Sequence, residues 1–148
     1  MRKFEKVSEE QFNDFVILPR RSTRGSAGYD FFMPTSIAIA PHTTIKIETG
    51  IKARMEEDDV LLLFIRSSIG IKRNLGLPNG VAVIDNDYYN NKNNEGNIII
   101  AIHNYGDETQ YLETGERVMQ GVFTKYLVAD DDEPVSEQRT GGIGSSGK

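Results

Sequence analysis

The strongest constraint on the fold is a series of short apolar runs separated by turn-forming residues. Val60–Ile65 is apolar throughout, which is typical of a strand buried on both faces, whereas Thr43–Thr49 alternates between apolar and polar residues. Clusters of Gly, Asn and Asp separate these runs from similar ones at Val81–Ile84, Ile98–Ile102 and Val118–Phe123. Short strands at near-regular spacing predict an all-β chain, folded as a sandwich, jelly roll or barrel.

Two helix signals interrupt this pattern. Ser8-Glu9-Glu10-Gln11 has the form of a capping box, is followed by Phe12, and predicts a turn or two of helix before Pro19. Ser67 and Ser68 follow a strand and predict the start of a second short helix.

Composition excludes several classes of protein. The 148 residues suit one domain, and 17 basic against 22 acidic residues give a formal charge of −5, which argues against stable binding of nucleic acid. The chain has no Cys and two His, so a thiolate site is excluded and a zinc catalyst is disfavoured. No apolar run approaches the ~20 residues that span a bilayer. We therefore expect a cytoplasmic protein that does not bind membranes.

Two strand ends carry side chains suited to chemistry. Arg66-Ser67-Ser68 ends one apolar strand, where its donors and the N–H groups of a following helix suit an anion; the alternative is a helix cap beside a surface Arg. Asp85 ends another strand, where a carboxylate can orient a water as general base, and Tyr88 can offer a flat face to a sugar or base. The alternative is an Asx-turn with a packed aromatic, which we favour for Asn86 and Asp87.

Three further segments permit two interpretations each. Asp30 follows a basic stretch and either helps to hold a hydrated metal or starts a turn. Gln120 lies in an apolar strand and makes either a core hydrogen bond or a ligand contact. The Gly- and Ser-rich segment 139–148 suits phosphate oxygens, or is a flexible tail that follows the acidic linker 130–133.

The order of these segments is more informative than any one of them. The sequence resembles, motif by motif, the trimeric deoxyuridine triphosphate nucleotidohydrolases (dUTPases), in the form found in Gram-positive bacteria and their phages. The segments that carry the resemblance are Ala27–Asp30, Arg66–Ser68, Val83–Tyr88, Gly115–Gly121 and Arg139–Gly147.

The resemblance implies a fold, an assembly and a reaction. The fold is a jelly-roll-like β-barrel with one or two short helices, in which residues 1–128 form a single β domain and residues 129–148 form a flexible arm that closes over the active site. The assembly is a homotrimer with three active sites, each built from all three chains. The reaction is hydrolysis of dUTP to dUMP and pyrophosphate with Mg²⁺, which limits uracil incorporation into DNA and supplies dUMP for thymidylate synthesis.

The resemblance also implies a role for each site residue. Asp85 orients the attacking water, Tyr88 packs against deoxyribose so that a 2′-hydroxyl has no room, and Asp30 holds the water shell of the metal. The uracil edge is read by the hairpin that contains Asn79, Gly80 and Val83. The phosphates are bound by Arg66, Ser67, Ser68 and Gln120. The closing arm contributes Arg139, Ile143, Gly144, Ser145 and Ser146.

Three features depart from the family pattern. Ile143 stands where the family usually has a Phe that stacks on uracil, and Ala82 stands where a Gly is usual. The arm has one residue fewer between Arg139 and the Gly pair than the commonest form. The polar insertion Asn90–Asn97, by contrast, resembles the form found in Gram-positive bacteria and their phages.

Two alternative functions share this scaffold. A dCTP deaminase would need a Glu and an Arg at the places that Ala101 and Ile71 occupy, and neither residue can move a proton. A regulatory protein that binds a repressor-type partner would use Asn90–Asn97 as its natural contact surface.

Overall fold

The computed structural model of the chain describes residues 1–136, Arg139 and Gly142. The described chain is built from antiparallel strands, one α-helix and one 3-10 turn. The strands are β1 (Lys3–Lys6), β2 (Tyr29–Phe32), β3 (Ile37–Ile39), β4 (Thr44–Glu48), β5 (Ile51–Arg54), β6 (Asp59–Ile65), β7 (Leu75–Gly76), β8 (Ala82–Asp85), β9 (Ile99–Asn104), β10 (Gln110–Leu112) and β11 (Arg117–Lys125).

The strands form four small sheets that share one core. The sheet orders are β2-β11-β6-β8, β4-β9-β7, β1-β5 and β10-β3, and every pairing is antiparallel. The core contains side chains from all four sheets, among them Phe31, Ile39, Ile51, Leu61, Ile102 and Leu112. This arrangement confirms the all-β, jelly-roll-like fold that the sequence predicts.

Strand β6 organises the largest sheet. Leu61 and Leu63 are fully buried, whereas Leu62 and Phe64 on the opposite face are half-buried. Paired residues of neighbouring strands point to the same side. Since Gln120 pairs with Phe64 and Asp85 pairs with Val60, the side chains of Gln120 and Asp85 share the outer face of this sheet.

Helix α1 (Ser67–Arg73) follows β6 directly, as the Ser pair predicts. It ends at Asn74, whose left-handed φ of 53° turns the chain into β7. A 3-10 turn, Asn86–Tyr88, follows β8. Neither helical segment, nor any other helix in the described part of the chain, is long and apolar enough to cross a membrane.

The predicted helix after Ser8 is wrong. The backbone makes a single turn, in which the N–H groups of Gln11 and Phe12 donate to the Ser8 carbonyl at 3.0 Å. The Ser8 hydroxyl, which should cap the helix, donates instead to the Glu95 carboxylate, and the Ser8 N–H donates to the same carboxylate at 2.9 Å. Phe12 then packs against Gly50, where an added Cβ would lie 2.4 Å from the ring. Long-range contacts therefore replace the local cap.

A buried carboxylate holds three strand ends together. Asp59, at the start of β6, is 1% exposed. Arg2 donates to it from Nε at 2.6 Å and from Nη2 at 3.1 Å, and Lys125 Nζ lies 2.9 Å from its Oδ1. The Glu56 N–H adds a further bond at 2.9 Å. These partners, Arg2 above all, hold the pKa of Asp59 well below its ordinary range despite the opposing effect of burial.

We expect Asp59→Asn to lower the free energy of unfolding by about 2 kcal/mol at pH 7, because the variant loses charge-assisted hydrogen bonds to a buried acceptor. Urea denaturation measures this change. Asp58→Asn is the matched control, since Asp58 bonds the same Lys125 from an exposed position, and its stability should stay close to that of the unaltered protein.

The pH dependence of this difference has a definite sign. A carboxylate whose pKa is lowered by folding contributes its full stabilisation above its unfolded pKa near 4, and loses it as the pH falls towards the folded pKa. The difference in the free energy of unfolding between Asp59→Asn and the unaltered protein should therefore become smaller below about pH 4. A difference of constant size from pH 7 to pH 3 would contradict the assignment.

Candidate active site

A cavity of about 520 Å³ opens beside β8 and the 3-10 turn. Its walls come from the hairpin before β8, from β8 itself and from β9. The residues that line it are Leu77, Pro78, Asn79, Ala82, Val83, Ile84, Asp85, Tyr88, Ile99, Ile100, Ala101, Arg139 and Gly142.

The hairpin at the floor of this cavity depends on a tight turn. Gly80 has a φ of +78°, a conformation that suits glycine, and its N–H donates to the Leu77 carbonyl at 2.9 Å. Asn79 lies in the same turn, and the Val81 N–H donates to its carbonyl at 2.9 Å. The backbone of β8 then runs along the cavity, with the Val83 side chain 59% exposed.

Asp85 lies at the mouth of the cavity with its side chain 51% exposed. Arg139 bonds the Asp85 carboxylate through Nη2, and its Nε donates to Asp87 Oδ1 at 2.8 Å. The guanidinium therefore bridges two carboxylates on the turn that ends β8. The interpretation of Asp87 as a simple turn residue missed this contact, because Asp87 and Arg139 are distant in sequence.

Tyr88 forms a rigid wall of the cavity. Its residue is 8% exposed, and its hydroxyl donates to the Asn97 carbonyl at 2.6 Å and accepts a hydrogen bond from Asn94 Nδ2 at 2.8 Å. Burial raises the pKa of Tyr88 above its ordinary value. Gly142 lies beside the ring, where an added Cβ would be 3.1 Å from Tyr88 Cε1. The ring is neutral, held in place by these hydrogen bonds, and part of the cavity lining.

A second, cationic groove lies at the other end of β6. It is lined by Ser22, Ser26, Ala27, Gly28, Asp30, Phe64, Arg66, Ser67, Gln120 and Val122. An adjoining groove adds Arg20, Arg21 and Arg117. Clustered Arg donors and a hydroxyl are suited to phosphate oxygens. Ser68 follows in the first turn of α1.

Asp30 organises the arginines of this second groove. Ser22 Oγ donates to its carboxylate at 2.9 Å, Arg117 Nη1 donates at 3.3 Å, and Arg66 Nε lies 3.8 Å away. Arg66 also donates from Nη1 to the Arg117 carbonyl at 3.1 Å. Arg117 is not among the residues predicted to contact phosphate. The signal that could have found it is its position in β11, three residues before Gln120, in a strand that pairs with β2 and therefore with Asp30.

The two sites are far apart within one chain. Asp85 is paired with Val60, and Arg66 comes six residues later along the same strand direction, so roughly 20 Å of extended chain separates them. The structure thus brings Asn79, Val83, Asp85, Tyr88 and Arg139 to the first cavity. It brings Asp30, Arg66, Ser67 and Gln120 to the second groove. Gly80 shapes the adjacent turn but is not among the residues that line the cavity, and Ser68 lines neither groove. Ile143, Gly144, Ser145 and Ser146 lie outside the described residues.

Among the described residues, no group of three or more His, Asp or Glu side chains could hold a metal ion. Asp30 alone cannot enclose a metal ion with protein ligands. Mg²⁺, however, keeps several waters and is usually bound through one or two carboxylates together with substrate phosphates. A single carboxylate beside an anion groove fits that mode of binding, in which the metal would reach Asp30 through water.

The sequence model of the dUTPase family matches residues 14–147. The chain belongs to the dUTPase family. It is 47% identical to the deoxyuridine 5′-triphosphate nucleotidohydrolase of Lactococcus lactis, over 99% of this chain and 98% of that one. It is 34% identical to the enzyme of the same name from Shewanella sediminis, over 96% and 94% of the two chains.

Solved structures agree with this assignment. The crystal structure of the dUTPase from Streptococcus mutans superposes with a TM-score of 0.78 at 43% identity, over 86% of this chain and 98% of that one. The dUTPase of Staphylococcus bacteriophage 80alpha has a TM-score of 0.73 at 21% identity, over 93% of this chain and 98% of that one, and so supports the fold alone.

Gly28 makes room for the amide of Gln120 in the second groove. A Cβ at this position would lie 2.6 Å from Gln120 Oε1 and 3.1 Å from Gln120 Cβ. We expect Gly28→Ala to rotate the amide away and to weaken binding of a non-hydrolysable dUTP analogue about tenfold, or about 1.4 kcal/mol. Titration calorimetry measures this affinity.

Gly25→Ala is the control for this prediction, since a Cβ at Gly25 meets nothing within 4 Å. Its affinity should match that of the unaltered protein. If Gly28→Ala and Gly25→Ala bind the analogue with equal affinity, Gln120 does not contribute to binding.

Proposed function

We propose that this chain hydrolyses dUTP to dUMP and pyrophosphate. The observation that carries the proposal is the cavity in which a carboxylate, Asp85, stands at the mouth and a buried aromatic ring, Tyr88, forms the wall. The dUTPase family of the chain, and the relatives named above, point to the same reaction.

The base and sugar bind in the cavity beside β8. The exposed backbone of the hairpin from Asn79 to Ile84 offers N–H and C=O groups to the edge of uracil, and its narrow floor excludes a 5-methyl group. The ring of Tyr88 packs against deoxyribose. Ala82 lines this floor in place of the usual Gly, so the space for uracil is closely defined.

Asp85 acts as the general base. Its carboxylate accepts a proton from a water whose oxygen attacks the α-phosphorus. The bond between the α-phosphorus and the oxygen that bridges to the β-phosphate breaks, and the electron pair leaves with pyrophosphate. The reaction needs an aligned water and pre-placed donors more than a covalent intermediate.

The phosphates bind in the cationic groove. Arg66, Ser67, Ser68 and Gln120 supply donors for their oxygens, and Asp30 would hold Mg²⁺ through water. The metal, when bound, neutralises part of the charge on the triphosphate. Arg66 and Arg117, which Asp30 holds in place, neutralise the rest locally in a chain whose net charge is −5.

The arm formed by residues 129–148 closes over this site. The position of Arg139 on Asp85 and Asp87, and of Gly142 beside Tyr88, supports the proposal. When substrate enters, Arg139 exchanges its carboxylate partners for phosphate oxygens and so frees Asp85 to bind water. The Gly and Ser residues Gly144, Ser145 and Ser146 add donors, and Ile143 covers the base. Exclusion of bulk water strengthens each of these contacts.

The separation of the two sites supports a shared, trimeric active site. A triphosphate chain, with one oxygen between neighbouring phosphorus atoms, cannot reach from Asp85 to the Arg66 of the same chain. In a homotrimer in which the cavity of one chain faces the cationic groove of the next, one triphosphate can contact both sites.

A regulatory partner is a second consequence of the resemblance. In the loop that this alternative would use as its contact surface, the exposed residues are Asn90, Lys92 and Asn93, while Asn91 and Asn97 are buried. So small an exposed set does not favour a partner surface, and our proposal is confined to catalysis in the cytoplasm. The dCTP deaminase alternative is weaker still, because Ala101 lines the cavity and has no group that can transfer a proton.

Release of pyrophosphate from dUTP, UTP, dTTP and dCTP, with and without Mg²⁺, tests the reaction. We expect fast, Mg²⁺-dependent release from dUTP alone. Asp85→Asn should lower kcat by about 10²- to 10⁴-fold while dUTP still binds, since a general base contributes about that much. Asp107→Asn, an exposed carboxylate that bonds His42, serves as control and should keep full activity. Unchanged kcat in Asp85→Asn, or ammonia release from dCTP, would contradict the proposal.

Mixing of two inactive variants tests the shared site. In a trimer that contains both Asp85→Asn and Arg66→Ala chains, one of the three interfaces pairs an intact Asp85 with an intact Arg66. Random mixing of equal amounts should therefore restore about a quarter of the unaltered activity. If each site belonged to a single chain, the mixture would stay as inactive as its components.

A further inference from the structure

The polar insertion Asn90–Asn97 contacts the candidate active site at Tyr88. We call residues 90–97 the asparagine loop. It follows the 3-10 turn that carries Tyr88, and the side chains of Asn91 and Asn97 are 7% and 0% exposed. A polar loop whose amides point inward is not primarily a solvent-facing surface, and the proposed reaction assigns it no role.

The asparagine loop has a fixed conformation. Asn91 Oδ1 accepts from the N–H groups of Asn93 and Asn94 at 3.0 and 3.1 Å, and Asn91 Nδ2 donates to the Tyr88 carbonyl at 2.8 Å. Gly96 has a φ of +87°, and a Cβ there would lie 2.8 Å from the Tyr88 carbonyl oxygen. The backbone of the loop therefore lies directly against the backbone of Tyr88.

The loop is also held from outside. Lys52 Nζ donates to Asn90 Oδ1 at 2.6 Å and lies 3.7 Å from Glu95 Oε2. The Ser8 N–H donates to Glu95 at 2.9 Å. These contacts connect the loop to β5 and to the N-terminal segment, so the loop cannot move back without breaking bonds to the body of the protein.

Asn94 transmits this rigidity to the ring. Its Nδ2 donates to Tyr88 Oη at 2.8 Å and to the Asn97 carbonyl at 3.3 Å, and its Oδ1 accepts from Asn91 Nδ2 at 2.8 Å and from the Gly96 N–H at 3.1 Å. Tyr88 Oη donates in turn to the Asn97 carbonyl at 2.6 Å. The phenol oxygen is thus bonded to two groups of the loop.

We propose that Asn94 is a positioning residue for sugar specificity, which holds the Tyr88 ring at the place where it excludes a ribose 2′-hydroxyl. The inference rests on the proposed function, since it assumes that deoxyribose packs on Tyr88. An aromatic ring excludes an extra hydroxyl sterically only if the ring is held in place, because a ring that can shift leaves room for the hydroxyl. Asn94 prevents that shift.

The test compares kcat/KM for dUTP and for UTP in single variants. In Asn94→Ala the ratio of UTP to dUTP efficiency should rise about tenfold, while the dUTP value stays within a few-fold of the unaltered enzyme. Asn93→Ala is the matched control, because it is the next residue in the loop, is exposed, and contacts Asn91 through its backbone N–H. Its ratio should not change.

Asn94→Leu separates the hydrogen bond from the bulk of the side chain. Leu is close to Asn in size but cannot bond Tyr88 Oη, so its ratio should rise as in Asn94→Ala. Thermal unfolding of each variant reports whether the loop and the body stay folded.

Each outcome decides between the hypotheses. A ratio that rises in both Asn94 variants and not in Asn93→Ala supports the inference. An unchanged ratio in a folded Asn94 variant, or a parallel loss of both activities, overturns it and leaves the proposed reaction in place. An unaltered enzyme that turns over UTP as well as dUTP overturns the proposed function itself, and the inference with it.

Discussion

The register of β6 against its two neighbours is the constraint on which the site depends. Leu61 and Leu63 are fully buried, so burial fixes which face of the strand points inward. Because side chains alternate along a strand, a shift by one residue would turn Asp85 and Gln120 from the outer face into the core. The observed register is stabilised by the cost of burying a charged carboxylate, if β8 shifts, or of exposing two leucines, if β6 shifts. Core packing therefore also determines the face of this sheet on which the proposed site residues Asp85 and Gln120 lie.

Electrostatics follow from this placement. In the proposed reaction an acidic chain must bind a triphosphate with few cations. It keeps Arg66, Arg117 and Arg139 beside carboxylates until substrate arrives. Asp30 holds Arg66 and Arg117 in the groove, while Asp85 and Asp87 hold Arg139 at the cavity. Paired guanidinium groups are already partly desolvated and oriented, so binding replaces one anion by another instead of ordering a free side chain. We infer that these ion pairs lower the reorganisation needed for catalysis.

The sequence predicts those features that local pattern determines. Strand ends at Ile65 and Asp85 and the start of α1 follow from apolar runs and from short-range turn signals. The run Val60–Ile65 predicts a strand buried on both faces, whereas Leu62 and Phe64 are only half-buried. Prediction from sequence fails where a distant residue competes for a local partner. Ser8 has the residues for a helix cap, but Glu95 takes its hydroxyl, and the helix does not form. The prediction for the asparagine loop fails for a related reason. Its polar composition predicts exposure, whereas the buried phenol of Tyr88 and the tight turn at Gly96 place the amides inside the protein.

A polar loop is better suited than an apolar one to hold Tyr88. A buried phenol needs a hydrogen-bond partner, and an apolar lining would leave its hydroxyl unsatisfied. In the described part of the chain, no buried side-chain nitrogen or oxygen lacks a hydrogen-bond partner, so the amides of Asn91, Asn94 and Asn97 satisfy one another as well as the ring. Hydrogen bonds are also directional, so they fix where the ring stands along the cavity wall as well as how deeply it is buried. In the proposed role of Tyr88, discrimination against a 2′-hydroxyl depends on a displacement of about one atomic radius, so the loop must fix the position of the ring as well as bury it.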